Sequence, residues 1–222
     1  MNISVLHEHY NNILSSNRDK ILAGGTGDLY LSNAENDNRM ALVLLIRISA
    51  EISEKIEDRI KSLKEIEPDM YYYPSSDFHI AVMDILKGKE NRTVPGNISE
   101  YISCISECAS HISPFNISLD GLVASDNAII VQGFYDDELL KFREDLRKSF
   151  SDNGLLLEER YKTISSHVTI ARLKDHYQNP EKLLSFIDEP CEFGKIKIDK
   201  MELSFHNWYD TRKEVLYKID LQ

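Results

Sequence analysis

Hydrophobic residues return along the chain with two different periods, and the changes between them predict the order of strands and helices. Residues 41–48 are almost all apolar and rich in β-forming side chains, which predicts a buried strand. Helical spacing follows, with Ser49 as a candidate N-cap and Pro68 beyond the end. The apolar positions of this helix are Ile52, Ile56, Ile60 and Leu63.

The remaining elements repeat the same alternation. In the first half, a strand is predicted around 77–86 and a helix over 98–112. The elements predicted for the second half are strands at 115–123 and 128–134, a helix at 136–150, a strand around 165–174, a short helix from Pro180, and strands at 195–205 and 214–221. This order predicts an α+β fold that is bilobal, with two similar lobes of mostly antiparallel sheet, helices packed outside and an active-site groove between the lobes.

The chain contains no Pro-, Gly- or Ser-rich linker, so we expect one domain rather than two separable ones. Residues 1–38 are polar and weakly periodic, which predicts an N-terminal extension. The glycines in its middle lack the spacing of a phosphate-binding loop and predict a turn. We therefore expect a single bilobal domain over 39–222, with lobes of roughly 39–112 and 113–222. An exchange of terminal strands between the lobes is left open.

Composition and charge narrow the class of protein. Of the 222 residues, 42% are hydrophobic, and the formal net charge is −11. This balance disfavours long duplex nucleic acid as a partner, because such binding depends on a broad positive surface. Three cysteines are few and odd in number, which favours a reducing compartment, and no apolar run reaches the length of a membrane span. We expect a cytoplasmic monomer that contacts no membrane.

One group of side chains has the spacing of a metal site. Cys104, Cys108 and His111 could bring three ligands to one side of a helix. They also lie in a pattern where small apolar side chains line a buried stripe, and burial there is the favoured interpretation. We expect neither a metal nor another cofactor.

Two predicted strands share a histidine motif. The two segments are Phe78–Val82 and Ser166–Ile170. The period of a strand puts His79 on the same face as Ala81, and His167 on the same face as Thr169, away from the packed helices. If the two lobes are related by a pseudo-twofold axis, the histidines converge on one cleft.

Two converging imidazoles suit acid–base catalysis without a metal. One neutral imidazole takes a proton from an attacking water or hydroxyl, and the other, protonated, gives a proton to the leaving oxygen. Each transfer is typically worth about 10²- to 10⁴-fold, and a hydroxyl such as that of Thr169 can donate to a phosphoryl oxygen. These groups favour a phosphodiester substrate, especially a strained cyclic one. The alternative is an unrelated α+β protein whose two strand histidines are structural and lie far apart.

From about Met40 to the C-terminus, the chain resembles the 2H phosphoesterase superfamily, whose signature is two H-x-[ST]-x motifs, each in a strand. Residues 39–86 are similar to the N-terminal half of a bacterial RNA 2′,5′-ligase-like branch. The resemblance implies hydrolysis of a 2′,3′-cyclic or ADP-ribose 1″,2″-cyclic phosphate, or cleavage of a 2′,5′-linkage. It also implies that His79 and His167 are the catalytic pair and that Thr169 supplies the hydroxyl of the second motif.

The first motif departs from this pattern at Ala81, where the superfamily has Thr or Ser. Loss of such a donor can cost about 10² to 10³ in rate. The nearest hydroxyls in sequence that could replace it are those of Ser75, Ser76 and Ser165. Otherwise the activity is reduced, or the protein binds a nucleotide or RNA end without turning it over. A further alternative is RNA 2′,5′-ligation, which is the same site run in reverse.

Other side chains near the motifs are candidates for binding the substrate, which we expect to be a small nucleotide or an RNA end. Tyr73 could stack on a nucleobase, and Ser165 could reach the cleft. Near the end of the chain, His206 and Trp208 are candidates for a further wall. Four cations bracket the second motif: Arg160, Lys162, Arg172 and Lys174. In a regular strand Arg172 and Lys174 would point away from His167.

Overall fold

The computed structural model describes residues 3–221. Within that range the helices are α1 (Ile3–Leu22), α2 (Ala50–Ile66), α3 (Ile98–Ala109), α4 (Asp137–Asp152) and α5 (Pro180–Ile187). The strands are β1 (Arg39–Arg47), β2 (Tyr71–Tyr72), β3 (His79–Glu90), β4 (Phe115–Ala124), β5 (Ala128–Tyr135), β6 (Val168–Arg172), β7 (Glu192–Ile198), β8 (Lys200–Asn207) and β9 (Lys213–Asp220). Each predicted strand and helix has a counterpart, and the predicted strand 195–205 is divided at Asp199 into β7 and β8.

The nine strands of this described range form one antiparallel sheet. Its order is β7-β4-β5-β6-β3-β1-β8-β9, and the short β2 pairs with β6. The two halves of the sheet meet where Ile80 of β3 pairs with Val168 of β6. The hairpin β8–β9 pairs with β1, so strands from the end of the chain lie in the half that contains β1 and β3. This mixed helical and antiparallel architecture confirms the predicted α+β bilobal fold.

Strand β1 is buried on both faces because its residues serve two different clusters. Leu42, Leu44 and Ile46 enter the main core, as strand alternation predicts. The residues between them enter a small apolar cluster on the opposite face, formed by Ala41, Val43 and Leu45 with Ala81 of β3. Register shifts between β1 and β3 mark irregular pairing along these two strands. One face of β1 therefore packs in the main core, and the other face packs in this small cluster.

Helix α1 lies in the segment that was predicted as an N-terminal extension. Leu6, Tyr10 and Ile21 belong to the main core. The Tyr10 hydroxyl lies 3.1 Å from both the carbonyl oxygen and the amide nitrogen of Gly133, and it accepts a 3.3 Å hydrogen bond from the Ser166 amide. Since Ser166 precedes His167, this helix supports the second motif directly.

The glycine-rich turn after α1 is closely packed. A Cβ atom at Gly25, whose φ is +75°, would lie 2.5 Å from the Asp126 carbonyl oxygen, far inside contact distance. Neighbouring Thr26 donates its amide to that same carbonyl at 2.7 Å. The glycine therefore allows the chain to pass close to the β4–β5 turn.

A fully buried arginine joins the two motif strands from behind. Arg143 of α4 has no exposed surface, and its guanidinium donates to the carbonyl oxygens of Ala81 and Val82 on β3. It also donates to the carbonyls of Ile164 and Ser165, just before β6. A planar group with five N–H donors suits this task, because it reaches both backbones at once. Arg143 thereby fixes the spacing of the two motifs.

Candidate active site

Both motif histidines lie at the start of a strand and line the same cleft. His79 is the first residue of β3, and His167 immediately precedes β6. Extending the Ile80–Val168 pair by one residue in each direction places His79 across from Thr169, and Ala81 across from His167. The cleft has a volume of about 150 Å³ and is lined by Ala41, Val43, His79, Ala81, Asp84, Lys87, Gly88, Arg160, Tyr161, Thr163, Ser165, His167, Thr169, Arg172, His206, Asn207 and Trp208.

A backbone carbonyl fixes the tautomer of His79. A short 3₁₀ segment, Ser75–Asp77, precedes the strand, and it turns the Asp77 carbonyl oxygen to within 2.8 Å of the imidazole Nδ1. A carbonyl can only accept, so Nδ1 carries the proton. The Nε2 atom of neutral His79 is therefore left with its lone pair.

His167 has a hydroxyl as its partner instead. Its Nδ1 lies 3.0 Å from Oγ of Ser165, a residue that is 5% exposed. A hydroxyl both donates and accepts, so it is compatible with either tautomer of the ring. Ser165 thus orients His167 without fixing which nitrogen carries the proton.

Burial lowers the pKa of both imidazoles, but their charged neighbours differ. For His167, desolvation is the largest cause, and nearby His79 and Arg172 act in the same direction, which brings its pKa to about 4. Desolvation also lowers the pKa of His79, but there the carboxylate of Asp210 opposes it. The surroundings of His79 therefore favour the protonated form more than those of His167 do.

A third histidine lies beside His79. The ring centroids of His79 and His206 are 5.5 Å apart in an edge-on arrangement. His206 Nδ1 donates to the Asn207 carbonyl at 2.9 Å and lies 3.2 Å from Oδ1 of Asp210. Its Nε2 is buried and has no hydrogen-bond partner among residues 3–221. Burial is the main reason that its pKa is lowered to about 4.

Two cations hold the Asp210 carboxylate in place. Its Oδ2 accepts from Arg47 at 2.6 Å and from Lys213 at 2.9 Å. Lys213 also donates to the Asp77 carboxylate at 2.7 Å. Sequence reasoning missed this network, which ties the segment in front of His79 to the loop between β8 and β9. The signal in the sequence that could have indicated it is the carboxylate of Asp210, four residues after His206.

Only the second motif has a hydroxyl at its third position, that of Thr169, because the first motif has Ala81 there. Thr169 and Ala81 both line the cleft, but Ala81 adds only a methyl group, packed with Ala41, Val43 and Leu45. Ser75 and Ser76 do not line the cleft, and Ser76 donates to the Asp77 carboxylate. Of the three candidate replacements, Ser165 alone lines it, and its hydroxyl already contacts His167.

Tyr73 is not among the residues that line the cleft. Its ring is 6% exposed and packs edge-on against Tyr71, and its hydroxyl accepts a 2.9 Å hydrogen bond from Nε of Arg172. This position favours a role in holding Arg172 over stacking on a base. The predicted wall residues His206 and Trp208 both line the cleft.

The orientation expected for Arg172 is wrong. Its side chain lines the cleft together with that of Thr169, although strand parity placed it on the other face. The pairing of β5 with β6 shifts register between Ile129 and Ile130, which face Ala171 and Thr169. Ile170 is the extra residue, and such an irregularity reverses the alternation beyond it.

The cysteine group does not form a metal site. Cys104 and Cys108 are buried in α3, while His111 is exposed and contacts Glu107. Across residues 3–221, no set of three His, Cys, Asp or Glu side chains is arranged to hold a metal ion. None of the helices in this range has the length and apolarity needed to cross a membrane.

Comparisons with known proteins agree with this architecture. Residues 44–219 match the family described as the AKAP7 2′5′ RNA ligase-like domain. The structure of TT0787 from Thermus thermophilus superimposes with a TM-score of 0.61 at 16% identity, covering 82% of this chain and 97% of that one. Escherichia coli LigT complexed with 3′-AMP gives a TM-score of 0.57 at 16% identity, covering 82% and 98%.

At such low identity these structures establish the fold alone. No curated protein matches the chain closely enough to add a relative by sequence. The family match, in contrast, spans most of the chain. The chain therefore belongs to the AKAP7 2′5′ RNA ligase-like domain family, within the 2H phosphoesterase superfamily, and this membership supports a phosphoesterase or RNA ligase-like function.

Proposed function

We propose that the protein is a metal-independent phosphodiesterase acting on a nucleotide or an RNA end. It hydrolyses a 2′,3′-cyclic or ADP-ribose 1″,2″-cyclic phosphate, or cleaves a 2′,5′-phosphodiester. The observation that carries this proposal is the convergence of His79 and His167 on one cleft beside the Thr169 hydroxyl. LigT, a structural neighbour, is complexed with 3′-AMP, a nucleoside monophosphate of the kind that opening a 2′,3′-cyclic phosphate releases.

The unequal surroundings of the two imidazoles support different roles for them. His167, with its pKa lowered to about 4, is neutral at pH 7 and acts as the general base. It takes a proton from water, and the water oxygen forms the new bond to phosphorus. His79, next to the Asp210 carboxylate, is the general acid. Its Nε2–H gives a proton to the ribose oxygen as the phosphorus–oxygen bond breaks.

Thr169 stabilises the charge that builds on the phosphoryl group. It lies across from His79 on the neighbouring strand, so its hydroxyl can donate to a non-bridging oxygen while both imidazoles act. A fixed donor in a cleft shielded from water is worth more than the same donor in bulk solvent. Ala81 offers no such donor on the other side.

A second candidate function is binding without turnover. Ala81 favours it, because the position of the missing hydroxyl is an apolar surface. RNA 2′,5′-ligation, the reverse reaction at the same site, is a further alternative. Tight binding of a cyclic nucleotide with no product after hours would support the binding protein.

Phosphorus NMR tests the proposed reaction. The wild-type protein is incubated, with a chelator present, with 2′,3′-cyclic nucleotides, ADP-ribose 1″,2″-cyclic phosphate and a 2′,5′-linked dinucleotide. We expect a monoester signal from at least one of the three. The His79→Ala and His167→Ala variants should give almost none, whereas His176→Ala, a matched control at an exposed histidine outside the cleft, should behave as wild type. Full activity in His79→Ala would exclude the two-histidine mechanism.

A further inference from the structure

One end of the cleft carries a cluster of cationic side chains around a tryptophan. The guanidinium carbon of Arg172 lies 5.2 Å from the centre of the Trp208 ring, and that of Arg160 lies 5.5 Å away. The guanidinium carbon of Arg39 also lies 5.5 Å from the same ring. Three arginines therefore surround one aromatic ring, although the chain as a whole has a net charge of −11.

The three arginines are not equivalent. Arg39 is neutralised by a bidentate contact with the Asp37 carboxylate, at 2.9 and 2.8 Å, and it does not line the cleft. Arg160 and Arg172 do line it. Among residues 3–221, neither of them forms an ion pair with a carboxylate. Their positive charges are therefore available to a ligand.

Lys87 adds a third available charge on β3. It is exposed, lines the cleft, and forms no ion pair within the described range. Asp84 is the one carboxylate among the side chains that line the cleft. Since three cations face one carboxylate, this surface has an excess of two positive charges, which suits an anion.

We propose that Arg160, Arg172 and Lys87, arranged around Trp208, form a subsite for a second phosphate group of the substrate. The inference rests on the proposed function, because it places the first phosphate between His79 and His167. It names the substrate class more narrowly, as a nucleotide or RNA end that carries a phosphate besides the one that reacts.

The geometry favours a phosphate over a base at this position. Guanidinium groups already lie near the Trp208 ring, so a base would have to displace them to stack there. A guanidinium held by a ring keeps its N–H groups in its own plane, and these groups bind phosphate in pairs. Arg172 is further held by its hydrogen bond to Tyr73. This end of the cleft is thus prepared for a phosphate before any ligand arrives.

The two arginines of the subsite and the motif histidines line the same small cleft. Arg172 is close enough to His167 to lower the pKa of its imidazole, and His206 contacts His79. A nucleoside with phosphates on both sides of its ribose can therefore place one phosphate at the histidines and the other at the arginines.

Calorimetric binding of two product-like nucleotides tests the subsite. The ligands are 3′-AMP and adenosine 3′,5′-bisphosphate, which differ by a single phosphate. We expect the wild-type protein to bind the bisphosphate at least tenfold more tightly at the same pH and salt, because charge-assisted contacts are the strong ones. The ratio should fall as the salt is raised from 50 to 200 mM. Arg160→Gln and Lys87→Gln should each bring it towards one.

Matched control variants remove one positive charge in the same way, but at positions outside the cleft. Lys162→Gln alters a lysine two residues from Arg160 that pairs with Glu144 outside the cleft. Lys89→Gln alters an exposed lysine two residues from Lys87, also outside the cleft. Both controls should keep the wild-type ratio.

Two results would overturn the subsite. Equal affinities of the wild-type protein for the two ligands would reject it and leave the proposed reaction intact. A ratio that the controls lower as much as Arg160→Gln does would show a general charge effect in its place. Binding of neither ligand would count against the nucleotide substrate itself, and so against both proposals.

Discussion

The two motif strands carry the same histidine in different surroundings. At the start of β3, His79 has a carbonyl on one side and the Asp210 carboxylate nearby, but the third residue of its motif is Ala81, which packs in an apolar cluster. At the start of β6, His167 has the Ser165 hydroxyl and a motif threonine, with cations rather than carboxylates close to it.

The difference supports the proposal that the two strands contribute different halves of the reaction. A carboxylate and a carbonyl acceptor stabilise an imidazolium, whereas a hydroxyl partner and nearby cations keep the ring neutral. In the proposed mechanism His79 is therefore the acid, and His167 and Thr169 supply the base and the phosphate-binding hydroxyl.

The largest expected effect is the loss of kcat/KM when either motif imidazole is removed. The dependence of this loss on the leaving group distinguishes the acid from the base. On an ordinary ribose diester, His79→Ala and His167→Ala should each lower kcat/KM by about 10²- to 10⁴-fold. With a 4-nitrophenyl ester, whose leaving group needs no proton, His79→Ala should lose less than about tenfold. His167→Ala should lose as much as before, because water still has to be deprotonated. Steady-state kinetics on both substrates check this, and equal losses for the two variants on the aryl ester would contradict the assignment.

The next largest effect should come from removing the hydroxyl of Thr169. Thr169→Ala should lower kcat by about 10²- to 10³-fold, because no second donor compensates for it on the other strand. Thr169→Ser, which keeps the hydroxyl, should retain most of the activity and serves as the control. Circular dichroism of both variants shows whether the fold is intact. A loss below about fivefold in Thr169→Ala would mean that another group binds the phosphoryl oxygens.

The pH dependence of kcat/KM should follow the two pKa values of the free enzyme. Activity should fall below about pH 4, where His167 becomes protonated, and again above the pKa of His79, which lies below 6.5. The optimum is therefore acidic. Since the Asp210 carboxylate raises the pKa of His79 against the effect of Arg47 and Lys213, Asp210→Asn should move the alkaline limb to lower pH. An unchanged limb would remove Asp210 from this role.

The smallest effect on kcat should come from giving the first motif the hydroxyl that it lacks. Ala81→Thr supplies the missing donor and should raise kcat by up to about tenfold, if the hydroxyl reaches the phosphoryl group. Ala81→Val has the same shape without a hydroxyl and is the matched control. Equal rates for the two variants would indicate that any change comes from packing alone.

Several features of the site could be predicted from the sequence because they follow from periodicity alone. The strands that carry His79 and His167, their shared face and the helices behind them all follow from apolar spacing. His206 and Trp208 were candidates because a histidine and a tryptophan stand close together near the end of a strand.

Other features depend on tertiary structure that spacing does not encode. Arg172 faces the cleft because one extra residue, Ile170, interrupts the pairing with β5. Tyr73 is covered in the fold, where β2 and the residue after it pair with β6. Arg143 did leave a signal, since it shares the apolar helical face of α4 with Leu139 and Leu146. A charge in that stripe indicates a buried role.

The pairing of β8 with β1 has a consequence for how the protein folds. The Arg47–Asp210 ion pair joins positions 163 residues apart, and Tyr10 reaches Ser166 over 156. Contacts of such long sequence separation slow folding, because a large loop must close before any of them forms. The cleft that contains His79 and His167 should therefore be assembled late on the folding pathway. In refolding from urea, nucleotide binding should return with the slowest phase, after most of the helical signal has recovered.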